Sequence, residues 1–213
     1  MKKFELTTET KVVFGKTLYR IRALVAFGDV KAGELGGWIE KEANLDQKGN
    51  AWVYGDARVY GDARVSGNAR VYGDAWVYGD AEVSGNARVS GNAEVSGNAR
   101  VYGNARVSGN AEVSGNARVY GDAWVYGDAE VYGNAEVKRQ THIFQLGAIG
   151  SRDGFTTFFR TRDKQIFVSC GCFCGSIADF AEKVKQTHRE NKHAKAYALA
   201  IELAKLQIED VEG

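Results

Sequence analysis

The chain has 213 residues, with 28 Lys+Arg against 27 Asp+Glu and a formal net charge of +1. That balance gives no global pull towards nucleic acid and excludes a charge-driven, sequence-specific nucleic-acid binder, and no apolar run approaches the ~18 residues of a membrane span. Two counts are abnormal: glycine is 26 of 213, about 12% where ~7% is usual, and proline is absent where ~5% is usual.

The start, Met1-Lys2-Lys3-Phe4-Glu5, lacks the apolar stretch of a signal peptide, so a cytoplasmic protein is expected. Residues 1–30 are read as an N-terminal β cap. Within it Lys11-Val12-Val13-Phe14, Gly15-Lys16 and Thr17-Leu18-Tyr19-Arg20-Ile21-Arg22 alternate as a β-hairpin does. From Phe27 to Trp38 the spacing is irregular and predicts an imperfect first turn. Ile39 and Leu45 carry a small residue two positions before them, at Gly37 and Ala43. Asp46-Gln47-Lys48-Gly49-Asn50 reads as a corner with two extra residues.

The segment 31–140 is dominated by a repeat. From Ala51 to Val137 the chain reads Ala-x-Val-x-Gly-(Asp/Asn) with period six, and valine recurs without a slip from Val53, Val59 and Val65 to Val125, Val131 and Val137. Ala and Val two apart share one side of a strand, so both face inward and their neighbours face out. Gly followed by Asp or Asn supplies a bend, because these residues accept positive φ. A short strand and a bend in every hexad give a three-sided coil, stacked at a sheet spacing of ~4.8 Å. The pattern is similar to the hexapeptide repeat of left-handed parallel β-helices. The fold expected is mainly β: a left-handed parallel β-helix with an N-terminal β cap and a small C-terminal α+β domain.

Residues 141–213 lose the repeat. His142–Leu146, Phe155–Arg160 and Gln165–Cys170 read as three strands. Ser176 with Asp179 reads as a helix start, with Ile177, Phe180, Ala181 and Val184 on one face. A second helix is expected after Asn191, running through Tyr197, Ile201 and Leu206.

Laid on three faces, the residues before each valine make charged ladders. One face carries Trp52, Arg70, Arg88, Arg106 and Trp124; the second carries Arg58, Trp76, Glu94, Glu112 and Glu130. Stacked like charges repel, and outward tryptophans ask for cover. A homotrimer answers both, with the first face of one protomer on the second face of the next, since a heterologous contact of that kind closes into a ring. The residue after each valine is mostly Tyr or Ser, and Tyr54/Tyr72 and Tyr60/Tyr78 are expected to stack.

Candidate chemistry is sparse. His142, His188 and His193 all lie outside the coil, where no general base for acyl transfer is therefore present. Cys170, Cys172 and Cys174 alternate; on a straight strand they would share one face ~6.6 Å apart, too far for one zinc, and they read as packing residues. Asp56/Asp74 and Asp62/Asp80 stack at corners, where Asp is a common turn former. No metal and no cofactor are expected. The cations of interest are Arg152 beside Ser151 in the loop Gly150-Ser151-Arg152-Asp153-Gly154, Arg160 and Arg162 alternating on a strand, and Arg20 and Arg22 alternating in the cap. Such forks suit a phosphate or carboxylate.

Three stretches carry a wider resemblance: Leu18-Tyr19-Arg20-Ile21-Arg22-Ala23-Leu24; Gly33-Glu34-Leu35-Gly36-Gly37-Trp38-Ile39-Glu40 with Asn44-Leu45; and Cys170-Gly171-Cys172-Phe173. With the repeat, the whole chain resembles phage- and prophage-type hexapeptide-repeat proteins, a group often described as acyltransferases or polymer-forming proteins. The resemblance implies a viral protein working in the host bacterial cytoplasm, and it carries over no catalytic residue. The expectation is a non-catalytic, trimeric binding scaffold for a small anionic ligand, by analogy a nucleotide-derived immune signal sequestered in anti-defence, or for a host protein. The alternatives are a coenzyme A-dependent acyltransferase and a purely structural, self-assembling protein.

Overall fold

The structure is a computed structural model that describes residues 2–211; Met1, Glu212 and Gly213 of the two terminal units lie outside the described residues. It is a parallel β-solenoid closed at one end by a β-hairpin and at the other by a small α+β unit.

Fifteen two-residue strands, β4 to β18, run from Trp52–Val53 to Glu136–Val137. Three strands make a turn, so they form five regular turns. Each valine as far as Val119 pairs in parallel with the valine eighteen residues on, as Val89 does with Val107, and each alanine and valine of the repeat is buried. Small Ala and branched Val fill a narrow three-sided interior without voids. Every corner glycine from Gly49 to Gly133 has φ between 58° and 75°, a region where an L side chain is strained. The corners are tied along the coil by side-chain ladders. Asn50 donates to Asn68, Asn68 to Asn86, Asn86 to Asn104 and Asn104 to Asp122, each at 3.1 Å. Asparagine both donates and accepts, so the ladder propagates; aspartate only accepts, so it terminates there.

The first turn is irregular as expected. Ile39, at the end of β3 (Leu35–Ile39), stacks on Val59, and Leu45 on Val65. Between them Asn44 is buried, its amide donating to the carbonyls of Ala63 at 2.8 Å and Gly61 at 3.1 Å. The cap is the antiparallel hairpin of β1 (Phe4–Val13) and β2 (Lys16–Ala23), with β2 antiparallel to β3. Phe4, Leu18 and Ile21 are fully buried beneath it. Lys3 plugs the coil end, its Nζ donating to the Ala51 carbonyl at 2.9 Å.

The C-terminal unit is a four-stranded antiparallel sheet, β19 (Ile143–Ile149), β20 (Gly154–Arg160), β21 (Ile166–Cys170) and β22 (Phe173–Ser176), covered by α1 (Ile177–His188) and α2 (Lys192–Gln207). The strand β22 is one more than the sequence suggests. Alternate residues of β20 serve two cores: Phe159 joins the coil interior, Phe158 the cluster of Val168, Phe180, Tyr197 and Ile201 under the helices. The sheet therefore closes the coil with one face and carries the helices on the other. Ser176 Oγ accepts from the Asp179 N–H at 3.1 Å, and Asn191 Oδ1 accepts from His193 and Ala194, capping the two helices. Among the described residues no helix is long and apolar enough to cross a membrane.

Candidate functional site

A cavity of about 430 Å³ opens where the last coil turns meet the C-terminal sheet and α1. Its floor is apolar, with Ile149, Phe155, Phe173, Phe180 and Val184. Its polar groups are Ser151 and Arg152 from the β19–β20 loop, Lys183, Thr187 and His188 from α1, and Asp128 and Glu130 from the coil. One side chain explains how the loop is placed. Gly150 has φ +83°, and a Cβ there would lie 2.0 Å from the Tyr197 hydroxyl. Only glycine lets the loop lie on Tyr197 and carry Ser151 and Arg152 to the mouth.

The interior polar groups are already partnered. Ser169 Oγ donates to Glu130, Thr156 Oγ1 donates to Cys170 Sγ at 3.2 Å, and the Tyr197 hydroxyl lies 3.6 Å from the same sulfur. Burial first, and the Cys170 contact second, push the Tyr197 phenol far above its usual range, so it stays protonated. His188 stacks on Tyr197 with ring centroids 5.7 Å apart. The cations at the cavity without an ion-pair partner among the described residues are then Arg152 and Lys183, both exposed at its mouth. Lys183 carries no functional signal in the sequence, since a lysine beside Val184 reads as the wet side of a helix, and Tyr197 reads there only as a residue of the second helix.

The other expected ligand residues do not join this cavity. Arg160 is buried: its Nη1 donates to Glu136 Oε2 at 3.0 Å and its Nε to the Asp210 carbonyl at 2.9 Å. Arg162 donates to the Asn116 carbonyl. The shared cationic face expected of Arg160 and Arg162 is therefore corrected: both tie the C-terminal sheet to the coil. Arg20 and Arg22 pair with Glu9 and Glu5 in the hairpin. The hairpin and the cavity are at opposite ends of one sheet, and six steps of strand spacing separate them by ~29 Å, so the two arginine pairs form no common site.

The ladders are as read, but several members are already covered. Arg70, Arg88 and Arg106 stack in register, as do Glu94, Glu112 and Glu130. Trp52 is fully buried under the cap, against Phe4 at 6.2 Å and Phe27 at 5.3 Å, which corrects its place at a subunit interface. Trp76 packs against Phe14 and Tyr60, with the Arg58 guanidinium over its ring. Arg70 pairs with Asp29, and Glu130 with Ser169. Arg88, Arg106, Glu94 and Glu112 have no ion-pair partner among the described residues, and Trp124 is 45% exposed. Burial, then its neighbours Glu94 and Glu130, raise the Glu112 carboxyl above the usual range. Tyr60 and Tyr78 stack at 5.1 Å; Tyr54 instead turns onto the core beneath the cap.

The remaining chemistry is structural. His142 is buried; its Nδ1 accepts from the Lys138 N–H at 3.3 Å, so Nε2 carries the proton towards Asp210 Oδ2, also at 3.3 Å. The three cysteines do not share one face: a turn at Gly171-Cys172 pairs Cys170 with Phe173 and Ser169 with Cys174. All three are free thiols. Asp56 pairs with Lys11 and Asp62 with Lys41. Among the described residues no three His, Cys, Asp or Glu side chains converge on a metal position.

The coil also matches known repeats. The family model described as YdcK Beta solenoid repeat matches residues 63–79, 81–97, 93–109, 99–113 and 111–127. A relative from Escherichia coli (strain K12), named "Uncharacterized acetyltransferase YdcK", is 51% identical over 37 residues, which are 17% of this chain and 11% of the relative. The chain thus spans about a tenth of the curated relative it matches. Fold and matches together identify a hexapeptide-repeat β-solenoid protein, with coil repeats similar to those of YdcK.

Proposed function

We propose that the chain is a non-catalytic binding scaffold whose C-terminal cavity takes a small anionic molecule with an apolar body. The observation that carries this is the pairing of an aromatic floor, Phe155, Phe173 and Phe180, with two exposed cations at the mouth, Arg152 and Lys183, that have no ion-pair partner among the described residues. An apolar pocket with a few convergent charges is the usual form of a small-molecule site. Nucleotide-derived signals in a phage-infected cytoplasm fall within this ligand class. The scaffold works as a homotrimer through Arg88 and Arg106 of one protomer against Glu94 and Glu112 of the next. Both ladders step at one turn, so the charges meet in register.

The experiment is titration of the whole protein with 1-anilinonaphthalene-8-sulfonate, an aromatic anion of suitable size. Saturable binding that weakens by about tenfold in R152A/K183A supports the reading, this being the worth of ~1.4 kcal/mol. Binding unchanged in that variant overturns it.

A second reading, acyl transfer from coenzyme A, is favoured by the name of the E. coli relative. No histidine lies in the coil, and the cavity histidine, His188, is stacked on Tyr197. Incubation with acetyl-coenzyme A and amine or hydroxyl acceptors is expected to release no coenzyme A thiol; acceptor-dependent thiol release would favour the enzyme.

A further inference from the structure

A separate pocket of about 290 Å³ lies beside the last turn of the coil, lined by Trp124, Tyr126, Gln140, Thr141, Phe144 and Gln207 among others. No residue lining it carries a charge, in a chain where 26% of residues do. Trp124 and Tyr126 are 45% and 46% exposed, although large aromatics of a coil end would ordinarily be covered. The indole is fixed, because its Nε1 donates to Ser108 Oγ at 2.9 Å. The two rings lie 4.9 Å apart and inclined by 45°, so they form a shallow V rather than a flat slot.

Neutral amides edge this V. The Gln145 amide serves the corner: in the orientation that satisfies both its ends, its nitrogen donates to the Tyr126 carbonyl at 3.1 Å and its oxygen accepts from the Ala129 N–H at 3.0 Å. Gln140 and Gln207 are exposed and their amides have no partner among the described residues.

From this juxtaposition we infer that the Trp124–Tyr126 pocket is a binding site for a neutral saccharide ring. The C–H face of a pyranose is apolar and lies on an aromatic ring, while its rim of hydroxyls both donates and accepts. An amide side chain offers both roles in return. The pocket offers no cation for a phosphate or carboxylate and no anion for an amine, which separates it from the cavity holding Arg152 and Lys183. Its volume is at the small end of the ~300–1,000 Å³ of ligand pockets, enough for one ring. The inference is independent of the anion-binding reading, because the two pockets share no residue. Trp124 stacks one turn beyond Arg106, so the pocket lies at the rim of the ladder that carries the proposed trimer contact.

The test uses the full chain and the methyl glycosides of glucose, galactose, mannose and N-acetylglucosamine. Saturation-transfer NMR reads binding, and oligomeric state is measured on the same sample. At least one glycoside is expected to bind through one ring face. W124A is expected to abolish that signal, Q207A to weaken it about fivefold, the worth of one neutral hydrogen bond, and R152A to leave it unchanged. The inference is overturned if no glycoside binds, if binding survives W124A, or if adenosine binds more tightly than every glycoside.

Discussion

Arg160 and Glu136 form a buried bond that helps fasten the C-terminal sheet to the coil. Nη1 lies 3.0 Å from Oε2, with the two side chains only 10% and 21% exposed. Arg160 belongs to β20 and Glu136 to the last coil strand, and the same guanidinium holds the Asp210 carbonyl. Removing one partner of a buried pair leaves the other uncompensated. Arg160→Ala is expected to destabilise the protein by about 3–5 kcal/mol. Denaturant unfolding checks this; a loss within experimental error would show that the pair is not what holds the junction.

The corners of the coil predict a contrast between two glycines of similar φ. At Gly133 (φ +65°) an added Cβ meets nothing within 4 Å, whereas at Gly85 (φ +66°) it would lie 2.9 Å from the Gly103 nitrogen. Gly133→Ala is expected to cost about 1–2 kcal/mol, the strain of a left-handed backbone alone. Gly85→Ala is expected to cost clearly more, because backbone must move. Equal midpoints in urea would contradict the stacked-corner geometry.

The charge ladders predict a designed rescue. The quadruple charge reversal R88E/R106E/E94R/E112R swaps both faces of the proposed contact, whereas R88E/R106E places acid against acid. The double variant is expected to sediment as a monomer and the quadruple variant as a trimer. A trimer in both would remove the ladders from the interface.

Lys3 predicts a pH dependence. Burial lowers its ammonium from 10.5 to about 8, with Asp46 opposing. Below about 8 the lysine is charged in both states and the burial cost is fully present. Between about 8 and 10.5 the folded state has lost the proton while the unfolded state keeps it. The unfolded state then binds more protons, so stability rises with pH. Tyr60, raised to about 12 by burial, acts in the opposite direction above its ordinary value of 10.0, and it is present in both proteins. The melting temperature of wild type minus that of Lys3→Met is therefore expected to rise across this window. A flat difference would mean that Lys3 remains charged inside the cap.

Much of the architecture was legible because one hexad is repeated with so little variation. Val53 through Val137 fixed the strand positions and faces, and the eight-residue gap after Leu45 marked the irregular corner. The hairpin lid and both helix caps, at Ser176 and Asn191, were also readable from local pattern. The missed strand β22 hid behind alternating cysteines, where the turn at Gly171-Cys172 broke an apparently straight run. The site was far less legible. In sequence Arg160, on a strand, and Arg152, in a loop, both read as solvent-facing cations. Only the packing of β20 on the coil buries one against Glu136 and leaves the other at a cavity mouth. Trp52 and Trp124 occupy equivalent hexad positions, yet the cap buries the first while the second is 45% exposed.

Native mass spectrometry of the gently purified protein, wild type beside R152A/K183A, tests the binding-scaffold claim most directly. A trimer carrying a small extra mass is expected in the wild type and a bare trimer in the variant. A wild-type protein without added mass, or an added mass that the variant retains, would contradict it.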